Sequence, residues 1–293
     1  MPGGHKALLY HYFLIKTIIF VGAGFIPAHK QIFFMPVLKT VIGYSFILIA
    51  AITAQASLLL LALFLFYGPF ELVNLGMGAA ESLIFDAFLS ALFFIQHSIM
   101  VRQGFRRWLA ELMPGQFYGA FFTIASASVL LVILIFWQKT PMMLFSAQGM
   151  AHLVIRCAFF LIIAGFAWGG WSLQPFDPMG LSPIVSRLRG KRENPPQLII
   201  RGPYRWVRHP LYLFAILLIW ATPEITADRM LFNGMWTLWI IAGAFLEERD
   251  LADFFGEAYS GYQQRVPMLM PKSIRPAVRA NAVKPRESRV GPD

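Results

Sequence analysis

Two stretches carry more chemistry than the rest of the chain: residues 201–213, read RGPYRWVRHPLYL, and residues 246–271, read LEERDLADFFGEAYSGYQQRVPMLMP. The first combines a turn signal at Gly202-Pro203 with Arg201, Arg205 and Arg208, and then sets His209 ahead of Pro210 and Tyr212. Proline suits the first position of a helix. A free helix N-terminus beside Arg208 and His209 attracts a carboxylate or a phosphate. The second stretch opens on Glu247-Glu248, adjacent carboxylates suited to ribose hydroxyls or to the ammonium of an amino-acid-like ligand. Tyr204, Trp206, Tyr212 and Tyr259 add aromatic faces, to which a sulfonium is drawn as other cations are. A plainer reading fits the same residues, with the glutamates as a solvated interfacial face and the arginines as topology signals.

The elements that must position these groups are apolar. Of 293 residues, 57% are apolar and 14% charged, with a mean hydropathy of +0.60, against about half apolar and about a quarter charged in an ordinary soluble domain. The composition indicates one multi-spanning membrane domain. Charge-free or charge-poor runs predict spans over 41–67, 77–101, 115–137 and 152–171, each near the ~20 residues a crossing needs. Residues 211–220 and 230–245 read as two short arms of a helical hairpin turning at Ala221-Thr222-Pro223-Glu224. Beyond it, Leu251, Phe255, Tyr259, Tyr262 and Val266 recur at three- and four-residue steps, predicting an amphipathic surface helix. The apolar segment at 8–27 reads as a span, a signal anchor or a signal peptide. The expected organisation is an N-terminal extension over 1–40, a membrane domain over 41–271 and a basic, disordered tail over 272–293.

The placement of charge fixes an expected topology. Lys and Arg number zero at 68–76 and one at 139–149, against three at 102–115, seven at 173–210 and eight at 247–293. Basic residues collect on the cytoplasmic side, so both chemical stretches are expected to face the cytoplasm. The net charge of +10 then needs no nucleic acid. Cys157 is the single cysteine and lies in an apolar run, which excludes an intramolecular disulfide and a Cys-based metal site and suggests packing. No metal and no obligate protein partner are expected. Within the spans, Asp86 suggests pairing with Arg156, and His97 at the end of its helix suits orienting or deprotonating a thiol.

Gly202-Pro203-Tyr204, Arg208-His209-Pro210-Leu211-Tyr212, Glu247-Glu248, Phe255-Gly256-Glu257-Ala258-Tyr259, Tyr262 and Val266-Pro267 in this order resemble the isoprenylcysteine carboxyl methyltransferase family. Gln96-His97-Ser98, Arg102 with Phe105-Arg106-Arg107, and Phe176-Asp177 with Gly180-Leu181 resemble its bacterial methanethiol S-methyltransferase branch more than the eukaryotic prenylcysteine enzymes. The likeness covers roughly residues 45–271 and implies an all-α, polytopic transmembrane helical bundle with a C-terminal hairpin and a cytoplasmic amphipathic helix. It implies S-adenosyl-L-methionine held by Gly202, Tyr204, Arg208, His209, Pro210, Tyr212, Glu247, Glu248 and Tyr259. It leaves His97, Arg102 and Asp177 for the acceptor side. One position departs from the pattern: Phe214 stands where a glycine is common. The expected acceptor is a small thiol; a prenylcysteine carboxylate or phospholipid headgroup is the alternative, and a non-catalytic membrane assembly protein is the rival class. The expected setting is the bacterial inner membrane, among membrane lipids.

Overall fold

A computed structural model describes residues 28–174, 177–191, 197–279 and 281–283. The apolar segment at 8–27 lies outside these residues, as does Phe176. The chain divides into one unit up to Phe46 and a second from Ile47 onward. The first holds the start of helix α1, and the second holds the rest of α1 and all the other helices.

The architecture is all-α. Helices α1 (Ala28–Tyr67), α2 (Ala79–Val101), α4 (Tyr118–Phe136), α5 (Gly149–Ser172) and α8 (Ala227–Phe255) form the long elements. Among the described residues, five helical stretches are long and apolar enough to cross a membrane, so the chain is an integral membrane protein. Shorter helices are α3 (Gln103–Ala110), α6 (Ser182–Leu188), α7 (Pro210–Trp220) and α9 (Glu257–Arg265). α2 packs on α4 and α8, α7 on α5 and α8. Their shared core contains Phe64, Leu89, Phe93, Ile133, Phe159, Phe232 and Trp236.

Several expectations are revised. The second hairpin arm is not a short segment ending at 245 but a single 29-residue helix that carries Glu247 and Glu248 on its own backbone. The amphipathic helix is broken at Gly256, whose φ of +56° belongs to the left-handed region that favours glycine. Leu251 and Phe255 therefore end α8, while Tyr259 and Tyr262 lie on α9. Their apolar side is spent inside the protein, in a cluster of Phe255, Tyr259, Tyr262 and Val266 with Leu198 and Ile200. The basic tail is tied down at its start: Ala277 N–H donates to the Arg205 carbonyl at 2.8 Å, and Trp206 Nε1 to the Ile274 carbonyl at 2.7 Å. Short strands β2 (Leu198–Ile200) and β4 (Asn281–Val283) pair antiparallel beside them. Cys157, expected to pack, is exposed.

At the other end of α8 the core is polar. Trp137, at the end of its predicted span, is 1% exposed and donates its Nε1 to Asp228 Oδ2 at 3.3 Å. Asp228 Oδ1 accepts from Thr140 N and Oγ1 at 3.0 and 2.8 Å. Arg229 donates to the carbonyls of Phe64 and Leu65 at 3.0 and 2.8 Å, closing the C-terminal end of α1. Asp86 does not pair with Arg156: it accepts from Gln138 N at 3.0 Å, and Arg156 lies over the Phe66 ring at 4.2 Å. Strands β1 (Met143–Ser146) and β3 (Glu224–Thr226) join this loop to the hairpin turn.

Because lipid is as apolar as a leucine side chain, helices in a bilayer associate through close packing and hydrogen bonds, and small residues mark the tightest approaches. Gly165 and Gly169 on α5 make room for Phe214 and Leu211 of α7; a Cβ at Gly165 would stand 2.7 Å from the Phe214 ring. The phenylalanine that departs from the family pattern thus has its complement in a glycine of the neighbouring helix. Gly119 and Gly180 touch backbone to backbone, with a Cβ on Gly119 placed 2.5 Å from the Gly180 carbonyl oxygen. Gly119→Ala is expected to lose about 1–3 kcal/mol through overpacking, measured by thermal denaturation in detergent. Gly104→Ala, beside open space inside a helix, should not lower the midpoint.

Candidate active site

The two chemical stretches meet. Pro210 starts α7 and His209 is its cap, which brings the loop before α7 against the C-terminal third of α8. Backbone bonds fix this loop from the far side: Arg208 N–H donates to the Pro267 carbonyl at 2.9 Å and His209 N–H to that of Met268 at 3.0 Å.

Glu248 is the centre of the contact. Its carboxylate accepts a bidentate pair from Arg208, Nε at 2.8 Å and Nη2 at 2.7 Å. It is also bonded by His209 Nε2, Tyr259 Oη and Gln263 Nε2, each at 2.7 Å. Together these bonds leave neither oxygen free. Arg208 is equally occupied, since its Nη1 reaches the carbonyls of Gln263, at 3.0 Å, and Val266. Burial first, and the Glu248 carboxylate next, push the Tyr259 phenol well above the ordinary tyrosine range, so it remains a donor. Tyr262 donates to the Tyr204 carbonyl at 2.5 Å, holding the Gly202–Arg205 turn against α9.

Glu247 is different. Its side chain is 44% exposed against 9% for Glu248. Tyr212 donates to its Oε2 at 2.6 Å, and His209 Nδ1 stands 3.7 Å from the same oxygen. The Tyr212 and His209 rings stack at 5.3 Å and 3°. The site thus offers one open carboxylate, an aromatic face, and the free N–H groups of the first turn of α7. That set suits a ligand with an ammonium, a carboxylate and a soft cation, the demands of a methionine-derived sulfonium. An apolar cleft of about 560 Å³, walled by Trp168, Trp206, Leu213, Phe214 and Ile274, lies across α7. It is not the space beside Glu247, because Leu213 and Phe214 point away from Tyr212 around the helix.

The structure thus brings together Gly202, Tyr204, Arg208, His209, Pro210, Tyr212, Glu247, Glu248 and Tyr259, and divides them. Arg208, Glu248 and Tyr259 face one another as a clasp; His209 and Tyr212 flank Glu247. The acceptor-side trio has three different settings. Asp177 accepts from the backbone N–H groups of Leu181 and Ser182 at 3.0 and 2.7 Å and so caps α6. Arg102 is exposed at the joint between α2 and α3. His97 is packed inside the bundle among Phe93, Phe122 and Trp239, at ring distances of 5.3, 4.9 and 5.2 Å. Gln263 belongs to the site although the motifs do not mark it; its place four residues after Tyr259, on the same face of a helix, is the signal that does.

An all-helical membrane bundle with a saturated charge clasp beside an open carboxylate is the class of protein in hand. The chain belongs to the NnrU protein family, whose pattern matches residues 87–271. Methanethiol S-methyltransferase 1 of Bradyrhizobium diazoefficiens is 34% identical over 200 residues, 66% of this chain and 68% of that protein. The methanethiol S-methyltransferase of Pseudomonas sp. is 33% identical over 210 residues, 68% of this chain and 78% of that protein. Nurim of Rattus norvegicus is more distant, 23% identical over 189 residues, 58% of this chain and 68% of that protein. No solved structure matches the chain.

Unequal roles for adjacent glutamates give unequal mutants. Glu248→Ala leaves Arg208 buried without its partner and is expected to lose about 3–5 kcal/mol. Glu247→Ala should lose less than about 1 kcal/mol. Thermal unfolding of the two variants side by side checks the difference.

Proposed function

We propose that the protein is an S-adenosylmethionine-dependent thiol S-methyltransferase of the membrane, with methanethiol or a similarly small thiol as acceptor. The observation that carries this reading is the split at Glu247-Glu248. A clasp alone would serve any fold, whereas a second carboxylate held open by Tyr212 beside stacked aromatic rings has no structural work left to do. The relatives named for methanethiol methylation support the acceptor class. An assembly protein without catalysis would still use the Arg208–Glu248 clasp, but it has no use for a Glu247 carboxylate held open beside it.

S-adenosylmethionine supplies a methyl group activated by a sulfonium charge. Glu247 would take its ammonium or ribose hydroxyls, the first turn of α7 its carboxylate, and the rings of Tyr212 and His209 the cationic region. Tyr204 and Gly202 shape the loop that backs this pocket, and the Glu248 clasp with Arg208 and Tyr259 holds the loop to α8 and α9. The protein's contribution to rate is then mainly positioning, with the reacting atoms brought to ~3–3.5 Å in a site that excludes water. Transfer to a neutral thiol releases one proton, for which His97, enclosed by aromatic rings within the bundle, is the candidate acceptor. Arg102 and Asp177 act at a distance, as a basic collar and as a cap that orders the neighbouring loop. The excess of Lys and Arg at this end of the helices supports a site on the cytoplasmic side, where the cofactor is made. In bacteria that is the inner membrane.

Membranes holding the protein, given methyl-labelled cofactor and methanethiol, are expected to release labelled dimethyl sulfide; no volatile product would overturn the acceptor assignment. S-adenosylhomocysteine titrated into purified protein should bind, and Glu247→Ala should weaken it about 10–100-fold, the loss of a charge-assisted hydrogen bond. Unchanged affinity would remove Glu247 from the pocket.

A further inference from the structure

We infer that the thiol binds inside the bundle, in the space beside Gly243 between the open carboxylate and the aromatic wall around His97, and that His97 takes its proton. This deepens the methyl-transfer reading and rests on it. Trp239, Gly243 and Glu247 follow one another at four-residue steps, so they form one ridge of α8. Glu247 stands at the cofactor end of that ridge. Trp239, ~12 Å further in by helical rise, touches the His97 ring at 5.2 Å. Gly243 lies midway, and a Cβ added to it would meet nothing within 4 Å. A methionine-derived arm anchored at Glu247 and stopping short of Gly243 would point its methyl end into this open space without filling it.

The walls state what fits there. Phe93, Phe122 and Trp239 enclose the imidazole, with Phe94 stacked on Trp239 at 4.9 Å. An aromatic lining with no charge of its own selects a small, apolar, polarisable molecule, and a thiol also meets aromatic rings favourably through its sulfur. Two polar atoms nearby have no role in holding the fold: His97 Nδ1 and, one turn beyond Phe122 on α4, Ser126 Oγ are buried without hydrogen-bond partners. In a packed membrane bundle such groups are costly unless they serve a guest. As the thiol sulfur forms its bond to the transferred methyl carbon, its S–H bond breaks and the proton passes to the His97 imidazole. The old bond between that carbon and the sulfonium sulfur of the methyl donor breaks, and its electron pair remains on the donor, cancelling the positive charge.

α8 contains its own control. Gly234 also has open space where a Cβ would stand, but nine residues from Gly243 it lies on the opposite face of the helix. Gly243→Leu is expected to lower methyl transfer to methanethiol about 100-fold or more while S-adenosylhomocysteine affinity stays at the wild-type value; Gly234→Leu should match wild type in both. Methanethiol should raise the thermal midpoint of the S-adenosylhomocysteine-bound wild type and not that of Gly243→Leu. His97→Gln should lose about 100-fold in transfer, the range for a general base, with S-adenosylhomocysteine affinity retained. Full transfer by either variant overturns the inference, and so does loss of S-adenosylhomocysteine binding in Gly243→Leu, which would give the space to the cofactor. A Gly243→Leu protein that fails to fold passes the test to Gly243→Ala against Gly234→Ala, with the same outcomes deciding. Wild-type protein that binds no S-adenosylhomocysteine would instead remove the cofactor reading beneath it.

Discussion

The bidentate bond between Arg208 and Glu248 is the constraint on which the site depends. α7 is only eleven residues long and enters from a loop, so nothing in its own sequence decides where it stands against α8. A carboxylate taken out of water is tolerated only if its lone pairs are filled, and Glu248 fills them with donors from two separate pieces of chain: Arg208 and His209 before α7, Tyr259 and Gln263 on α9. Satisfying that single charge therefore folds the loop, the end of α8 and α9 onto one point. Tyr212 is delivered to Glu247 as a consequence, because both are one step in sequence or one turn in space from groups already fixed.

A second set of buried charges anchors the opposite end of the same helix. Asp228 and Arg229 lie at the start of α8, and they hold Trp137, Thr140 and the last carbonyls of α1 as Glu248 holds the loop before α7. α8 is thus pinned at both ends by polar bonds and packed in between by aromatic residues, from Phe232 stacked on Trp236 to Trp239 under Phe94. Where the hydrophobic effect supplies no drive between helices, hydrogen bonds and fitted surfaces must fix register. Gly165 receiving Phe214 is the same principle at a third contact.

The spans were legible because length and hydropathy suffice for them. That the residues proposed for the cofactor meet at one place was legible because Arg-His-Pro and Glu-Glu are separated by a hairpin that must bring them back to one face. What the residue types could not convey was the division of labour within the set. Glu247 and Glu248 are identical in type and adjacent in position; only the direction in which each leaves the helix, about 100° apart, sends one into the loop and leaves the other open. Arg208 reads as an anion-binding group for the same reason, since a guanidinium already carrying its full set of bonds looks in sequence like a free one. Trp137 reads as an interface anchor because its partner, Asp228, lies 91 residues away. The break at Gly256 is hidden because the apolar residues on either side keep a helical spacing through it.

Saturated and unsaturated polar atoms both occur in the buried core. Around Glu248 both carboxylate oxygens are engaged, which gives a rigid anchor. Elsewhere among the described residues, Asp86 Oδ2, Gln96 Oε1, Arg229 Nε, His97 Nδ1, Ser126 Oγ and both side-chain polar atoms of Asn233 are buried and unpaired. A buried polar atom without a partner adds nothing to stability by itself. Asp86 and Arg229 are held in place by their other bonds, whereas His97 Nδ1 and Ser126 Oγ stand near the proposed thiol space, where a partner from outside the chain would answer them.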